Sequence, residues 1–186
     1  MKLQNKSKFI LILGVSGVGK SSLIREISSL DNRFSYIKPV TNRVLREGEN
    51  DKIYSSEDKI IKLKESGDLI IVNEIYGNLY GTPRKPIITA LNNSKFPILD
   101  WPVDKLELMK KYFPKDIYTI YILPPSLEEL RNRMSIDGRI KFGSRWEEAV
   151  KELKDLNLEN FDYYYKNDGS ILEGAKKIIN KIMSLK

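Results

Sequence analysis

The run Phe9-Ile10-Leu11-Ile12-Leu13-Gly14-Val15-Ser16-Gly17-Val18-Gly19-Lys20-Ser21-Ser22 decides the fold. Five consecutive apolar residues have the length of a strand buried on both faces, and the glycine-rich run behind them ends it. Gly14 to Ser21 satisfies G-x-x-x-x-G-K-[ST]. Backbone N–H groups that wrap a phosphate need glycine wherever a Cβ would clash or φ must be positive. Leu23, Ile24 and Ile27 share one face of a helix predicted over Ser21–Leu30, whose N-terminal dipole also favours an anion. The reading is therefore a nucleotide phosphate site built from Gly14, Ser16, Gly17, Val18, Gly19, Lys20, Ser21 and Ser22. Lys20 supplies a point charge to the β/γ oxygens, and the Ser21 hydroxyl sits where Mg²⁺ is held.

Composition limits the chemistry available around that site. The chain has 186 residues, the size of one domain, with 41% hydrophobic and 31% charged residues, an ordinary water-soluble balance. It contains no cysteine and no histidine, which removes disulfides, thiolate nucleophiles, Ser-His-Asp catalysis and the commonest metal ligands. What remains is Lys, Arg, carboxylates, hydroxyls and a loosely held hard metal. The net charge of +7 is spread along the chain without a basic stripe interleaved with aromatics, so no nucleic-acid partner is expected. No apolar run is long enough to span a membrane and no leader pattern opens the chain, so a cytoplasmic protein is expected.

Outward from the glycine loop, strands and helices alternate. Strands are predicted at Phe34–Val40, Leu69–Ile75, Phe96–Asp100, Ile117–Leu123 and Asp162–Lys166. Helices are predicted from Ser55 to Ser66, from Pro83 to Asn92, and over Asp104–Tyr112, Leu127–Met134, Arg145–Leu156 and Ile171–Met183. Gly77–Gly81 reads as a turn, Thr41–Asp51 as a polar loop and Ser135–Ser144 as a second loop. The alternation predicts an α/β fold, a P-loop kinase three-layer arrangement with a parallel central sheet. A single domain is expected, with a core over residues 1–33 and 94–186, an inserted acceptor-binding lobe over about 34–93 and a short lid over about 134–146.

Further motifs narrow the class. They are Thr41-Asn42-Arg43-Val44-Leu45-Arg46-Glu47-Gly48-Glu49, then Tyr54, then Tyr76-Gly77-Asn78-Leu79-Tyr80-Gly81-Thr82, then Ile122-Leu123-Pro124-Pro125-Ser126-Leu127-Glu128-Glu129-Leu130, then Asn167-Asp168. In order and spacing, over nearly the whole chain, they resemble the guanylate kinase family. Arg43 and Arg46, with the phenols of Tyr54 and Tyr80, have the donor chemistry to grip a second phosphate dianion. The resemblance implies that these four clamp the phosphate of an acceptor monophosphate. It implies that Arg133 and Arg145 close over the transferring phosphoryl, and that Asn167 meets the donor adenine. It also implies ATP and Mg²⁺ as cofactors and a nucleotide acceptor, GMP or dGMP, in purine metabolism. Nothing fixes the oligomeric state beyond monomer or homodimer.

The resemblance breaks where the family reads guanine. Its serine, glutamate and second aspartate are matched by Pro39, Ile71 and Pro102. Thr82 matches a hydroxyl near the base, Glu74 is a candidate substitute for the missing carboxylate, and Asp100 keeps the first aspartate as a partner for the metal or a clamp arginine. Each guanine edge group left unpaired in a closed site costs about 1–3 kcal/mol. A different nucleoside monophosphate or ribose 1,5-bisphosphate is thus an alternative acceptor. From other classes come a non-catalytic guanylate-kinase-like binding module, and a P-loop GTPase or nucleic-acid-dependent ATPase.

Overall fold

The computed structural model describes residues 8–45, 47–113, 116–136 and 142–185. Its elements run β1 (Phe9–Leu13), α1 (Lys20–Leu30), β2 (Phe34–Tyr36), β3 (Val40–Thr41), β4 (Ile53–Tyr54), α2 (Glu57–Glu65), β5 (Leu69–Ile75) and β6 (Asn78–Pro83). They continue as α3 (Arg84–Asn92), β7 (Phe96–Asp100), α4 (Leu106–Tyr112), β8 (Ile117–Leu123), α5 (Leu127–Ile136), α6 (Phe142–Lys154), β9 (Tyr163–Lys166) and α7 (Ile171–Met183).

Five strands form the main sheet in the order β2-β7-β1-β8-β9, every neighbour parallel. β1 is fully buried along its length because its five apolar side chains alternate between two cores. Ile10 and Ile12 pack with Leu23, Ile24 and Ile27 of α1 and with Ala175, Ile178 and Ile182 of α7. Phe9, Leu11 and Leu13 pack on the other side with Ile87 of α3 and with Leu106 and Met109 of α4. Helices therefore cover both faces, as a parallel sheet requires. Each fully buried Leu, Ile or Phe contributes roughly 1.5–3 kcal/mol, so the strand that carries the glycine loop is also the best-anchored element of the molecule. A capping box fixes the start of α7: the Ser170 hydroxyl accepts from the Glu173 N–H and the Glu173 carboxylate accepts from the Ser170 N–H.

The second sheet has the order β4-β3-β6-β5. β5 and β6 form a hairpin whose two-residue turn is Tyr76 (φ +52°) and Gly77 (φ +78°), with Ile75 opposite Asn78. This corrects the expected turn over Gly77–Gly81: two left-handed residues suffice to reverse the chain, and Asn78 to Gly81 already belong to β6. Phe34–Tyr36, expected to open the inserted lobe, instead pairs with β7 in the main sheet. The chain crosses to the second sheet at Pro39, which lacks a donor but whose carbonyl accepts from the Ile53 N–H. The expected loop Ser135–Ser144 is shorter, because α5 runs to Ile136 and α6 starts at Phe142. Residues 137–141 of the expected lid lie outside the described residues. Among the described residues no helix is long and apolar enough to cross a membrane.

Candidate active site

The glycine loop joins β1 to α1 at the carboxyl edge of the parallel sheet, where open α/β sheets place their ligands. Its three critical glycines all have positive φ: +135° at Gly14, +81° at Gly17 and +100° at Gly19. A Cβ on Gly14 would stand 2.6 Å from the Ile122 carbonyl oxygen, and one on Gly17 would stand 2.5 Å from Cγ of Met134. One on Gly19 would stand 2.7 Å from Nδ2 of Asn167. Between them Val15 and Val18 are buried, anchoring the loop from below. α1 begins at Lys20 with no acidic residue in its first turn and no side-chain cap, so its terminal N–H groups remain available to an anion.

The polar side chains around the loop are already arranged. The Lys20 ammonium curls back and donates to the Gly14 carbonyl at 2.6 Å and to the Val15 carbonyl at 3.0 Å. Arg145, on α6 and only 1% exposed, donates from Nη2 to Ser16 Oγ at 2.7 Å. A lid-helix guanidinium thus already rests on the loop. Arg133 lies on α5 and donates from Nε to Glu129 at 2.8 Å, one turn back on the same helix. The residue after it, Met134, is the one that abuts Gly17. Ser22 accepts from Arg25 at 3.3 Å. Asn167 is 1% exposed, and its Nδ2 donates to the Val18 carbonyl at 2.9 Å. The structure therefore places Asn167 as a strut under the loop, with Oδ1 buried and lacking a partner among the described residues. The expected contact with the donor adenine would be made from this position beside the loop. Asp100 ends β7 directly opposite Ile12 of β1, which sets its carboxylate beside the base of the loop.

The second sheet presents a different kind of surface. Register sets Ile71 opposite Thr82, Asn73 opposite Tyr80, Tyr80 opposite Thr41, and Thr41 opposite Tyr54. Residues facing each other across strands share a face, so these line one side of the sheet. The other side carries Val40, Leu69, Val72 and Leu79, packed under Ile60 and Leu63 of α2. Glu74 pairs with Leu79 and is exposed, so it projects on the α2 side. It cannot substitute for a carboxylate at Ile71, because three residues along a strand reverse the face.

Arg43 follows β3 and is bidentate to Glu49, with Nη2 at 2.6 Å from both carboxylate oxygens, while Nη1 donates to the Val44 carbonyl at 3.0 Å. Its own N–H donates to Thr41 Oγ1 at 3.1 Å. Partial burial alone would lower the guanidinium pKa, but Glu49 and the adjacent Tyr80 phenol outweigh it and raise it. Tyr54 is more than half exposed at the rim. Arg46 lies outside the described residues. Ile71 packs into the core with Ile37 and Trp101, and Thr82 is 3% exposed.

Besides the packing of Ile71, polar contacts among the described residues hold this sheet to the core. Asp51, 2% exposed, pairs with Arg25 of α1 at 3.7 Å and with Lys52 at 3.3 Å. At the far end the Tyr76 hydroxyl donates to Glu148 of α6 at 2.6 Å. The Tyr36 phenol, at the end of β2, has its pKa raised by burial first and then by Asp100, Asp51 and Glu49. Asp100 at the end of β7 and the carboxylates of Asp51 and Glu49 in the segment before β4 therefore all act on one hydroxyl. Sequence reasoning missed Asp51, Tyr76 and Asn73. Only Asn73 had a readable signal, since it alternates with Ile71.

A sequence model of the family described as guanylate kinase matches residues 6–185. Among curated relatives, a guanylate kinase of Bdellovibrio bacteriovorus is 33% identical over 190 aligned residues, covering 96% of this chain and 100% of that protein. A guanylate kinase of Clostridium tetani is 34% identical, covering 93% of this chain and 84% of its own length. Among solved structures, a guanylate kinase from Anaplasma phagocytophilum superposes with a TM-score of 0.76 at 24% identity, covering 99% of this chain and 89% of that one. A shikimate kinase from Acinetobacter baumannii superposes with a TM-score of 0.53 at 17% identity, covering 98% of this chain and 97% of that one. These two likenesses establish the shared fold.

Proposed function

The chain belongs to the guanylate kinase family of ATP-dependent phosphotransferases, and on that premise we propose that it moves the γ-phosphoryl of ATP to GMP or dGMP. The observation that supports the reading is the presence of two unlike sets of anion-binding donors, which we take to face each other across one cleft. One is the glycine loop with Lys20, and the other is the sheet face with Arg43, Tyr54 and Tyr80. An intact glycine loop with its lysine and serine favours catalysis over a role as a binding module.

The residues present fit ATP and Mg²⁺. The loop is a cradle that a Cβ would fill at Gly14 or Gly19, and the free first turn of α1 faces it. Among the described residues no three carboxylates gather into a metal cage, so a divalent ion here would be held by Ser21, phosphate oxygens and water, with Asp100 adjacent. When bound, Mg²⁺ neutralises charge on the β- and γ-oxygens. Lys20 swings off the Gly14 and Val15 carbonyls to meet those oxygens. The acceptor phosphate takes the Arg43 guanidinium from Glu49, and Tyr54 and Tyr80 donate to its remaining oxygens. An acceptor oxygen then bonds to the γ-phosphorus as the bridging bond to ADP breaks. The acceptor is already ionised, so no general base is required, in keeping with a chain that has no histidine. Arg145 and Arg133, on α6 and α5, would neutralise the equatorial oxygens. The sheet over residues 40–83 would act as the acceptor lobe of a single domain, and a cytoplasmic enzyme is the reading consistent with nucleotide substrates.

The test is ADP and GDP formation from ATP·Mg²⁺ with GMP, run beside dGMP, AMP, CMP and ribose 1,5-bisphosphate. Stoichiometric GDP is expected, with Lys20→Ala lowering turnover about 10³-fold or more by removing one preorganised cation. ADP release that is independent of every acceptor would overturn the assignment.

A further inference from the structure

Asn73 sits in the middle of β5, on the face shared with Tyr80 and Thr82, and is 8% exposed. Its carboxamide makes no hydrogen bond to any described residue. The neighbouring Thr82 hydroxyl, on a residue 3% exposed, is in the same position. Among the described residues the buried polar atoms that lack a partner include those of Ser28, Tyr36, Ser55, Tyr165 and Asn167 but none of Asn73 or Thr82, so the Asn73 amide and the Thr82 hydroxyl still reach solvent and are open to a ligand. On the same face of the sheet Ile71, opposite Thr82, belongs to the apolar cluster that holds Trp101. Along the row Asn73–Tyr80–Thr41, two strand spacings separate Asn73 from the strand that leads into Arg43, about 10 Å. A ligand whose phosphate is held by Arg43 would lay its base over Asn73.

We propose that Asn73 reads the base of the acceptor, with Thr82 as its second polar contact. The proposal rests on the reading of this cleft as a nucleotide-acceptor site. A carboxamide offers one acceptor oxygen and one donor nitrogen toward a ligand edge. It matches the N1–H and O6 edge of guanine, and equally that of hypoxanthine. It lacks the two acceptors needed to engage N1–H and the 2-amino group together, which a carboxylate at Ile71 could have done. The 2-amino group is therefore left unread, and IMP is an acceptor within about tenfold of GMP, the discrimination set by one unshared contact.

The experiment compares the full-length wild type, Asn73→Ala and Asn73→Asp with ATP·Mg²⁺ and GMP or IMP, and measures inhibition by ribose 5-phosphate, which lacks a base. Asn73→Ala is expected to lower kcat/KM for GMP and for IMP by about 10- to 100-fold through KM, the loss typical of one buried polar contact. The inhibition constant of ribose 5-phosphate should stay within about twofold, since phosphate gripping is untouched. Asn73→Asp, with two acceptors, should raise the preference for GMP over IMP about tenfold or more. The proposal is overturned if Asn73→Ala leaves GMP unaffected, or if it weakens ribose 5-phosphate in parallel with GMP. Turnover by the wild type reads the proposed function on its own. Should the wild type not phosphorylate GMP, calorimetric binding of GMP to wild type and Asn73→Ala still decides this point, and unchanged melting temperature separates recognition from folding.

Discussion

The glycine loop and the face of the second sheet, which we propose as the two anion sites, are built in opposite ways. In the loop the main chain is the receptor, and its side-chain props are bonded within the fold: Lys20 donates to two carbonyls, Asn167 Nδ2 to Val18, and Arg145 to Ser16. On the sheet face the side chains are the receptor. Arg43 is held by a carboxylate that a phosphate can replace, and the amide of Asn73 has no described partner at all. A main-chain receptor can bind any triphosphate and tolerates little change. A side-chain receptor can be rewritten one residue at a time, and we propose that Pro39, Ile71 and Pro102 are such changes at base-reading positions.

The largest expected effect on that contrast comes from Arg43→Ala. It removes a bidentate donor from the acceptor side only, so kcat/KM for GMP should fall about 10²- to 10³-fold while KM for ATP changes little. Equal losses for both substrates would erase the distinction between the two sites. Gly19→Ala attacks the loop instead. With φ at +100° and Nδ2 of Asn167 2.7 Å from the new Cβ, the loop and its strut must shift. A loss of about 10²-fold in kcat/KM for ATP is expected, the size associated with a displacement near 1 Å. Affinity for GMP, measured by calorimetry, should be retained. The smallest effect is that of Tyr76→Phe, which deletes the 2.6 Å bond from the hairpin tip to Glu148. This exposed contact is worth about 0.5–1.5 kcal/mol at most, so a change of a few-fold in KM for both substrates is expected, with little effect on melting temperature. A larger change confined to GMP would make the hairpin tip part of the acceptor site.

The same contrast explains what could be read from sequence. The loop was legible because glycine spacing is itself the structural requirement: the φ values demanded at Gly14, Gly17 and Gly19 are the ones observed. Buried strands such as β1 and β8 were legible as apolar runs. The strut role of Asn167 was not legible because it depends on a contact 149 residues away with the Val18 carbonyl, which no local pattern encodes. Glu74 was misread through the turn. Once Tyr76 and Gly77 are the two turn residues, Ile75 faces Asn78, Glu74 faces Leu79 and Asn73 faces Tyr80. That register sends Glu74 away from the cleft and brings Asn73 into it. The break after β2 at Pro39 was hidden because Phe34 to Val40 has the composition of one continuous strand, and only pairing with β7 on one side and β6 on the other divides it.

The account is tested most directly by calorimetric titration of a non-hydrolysable ATP analogue with Mg²⁺, and separately of GMP, into wild type, Lys20→Ala and Arg43→Ala. The predicted result is a crossed pattern. Lys20→Ala weakens the ATP analogue and keeps GMP, while Arg43→Ala weakens GMP and keeps the analogue. Undiminished GMP affinity in Arg43→Ala, or loss of the same ligand in both variants, would contradict two separate anion sites facing each other across one cleft.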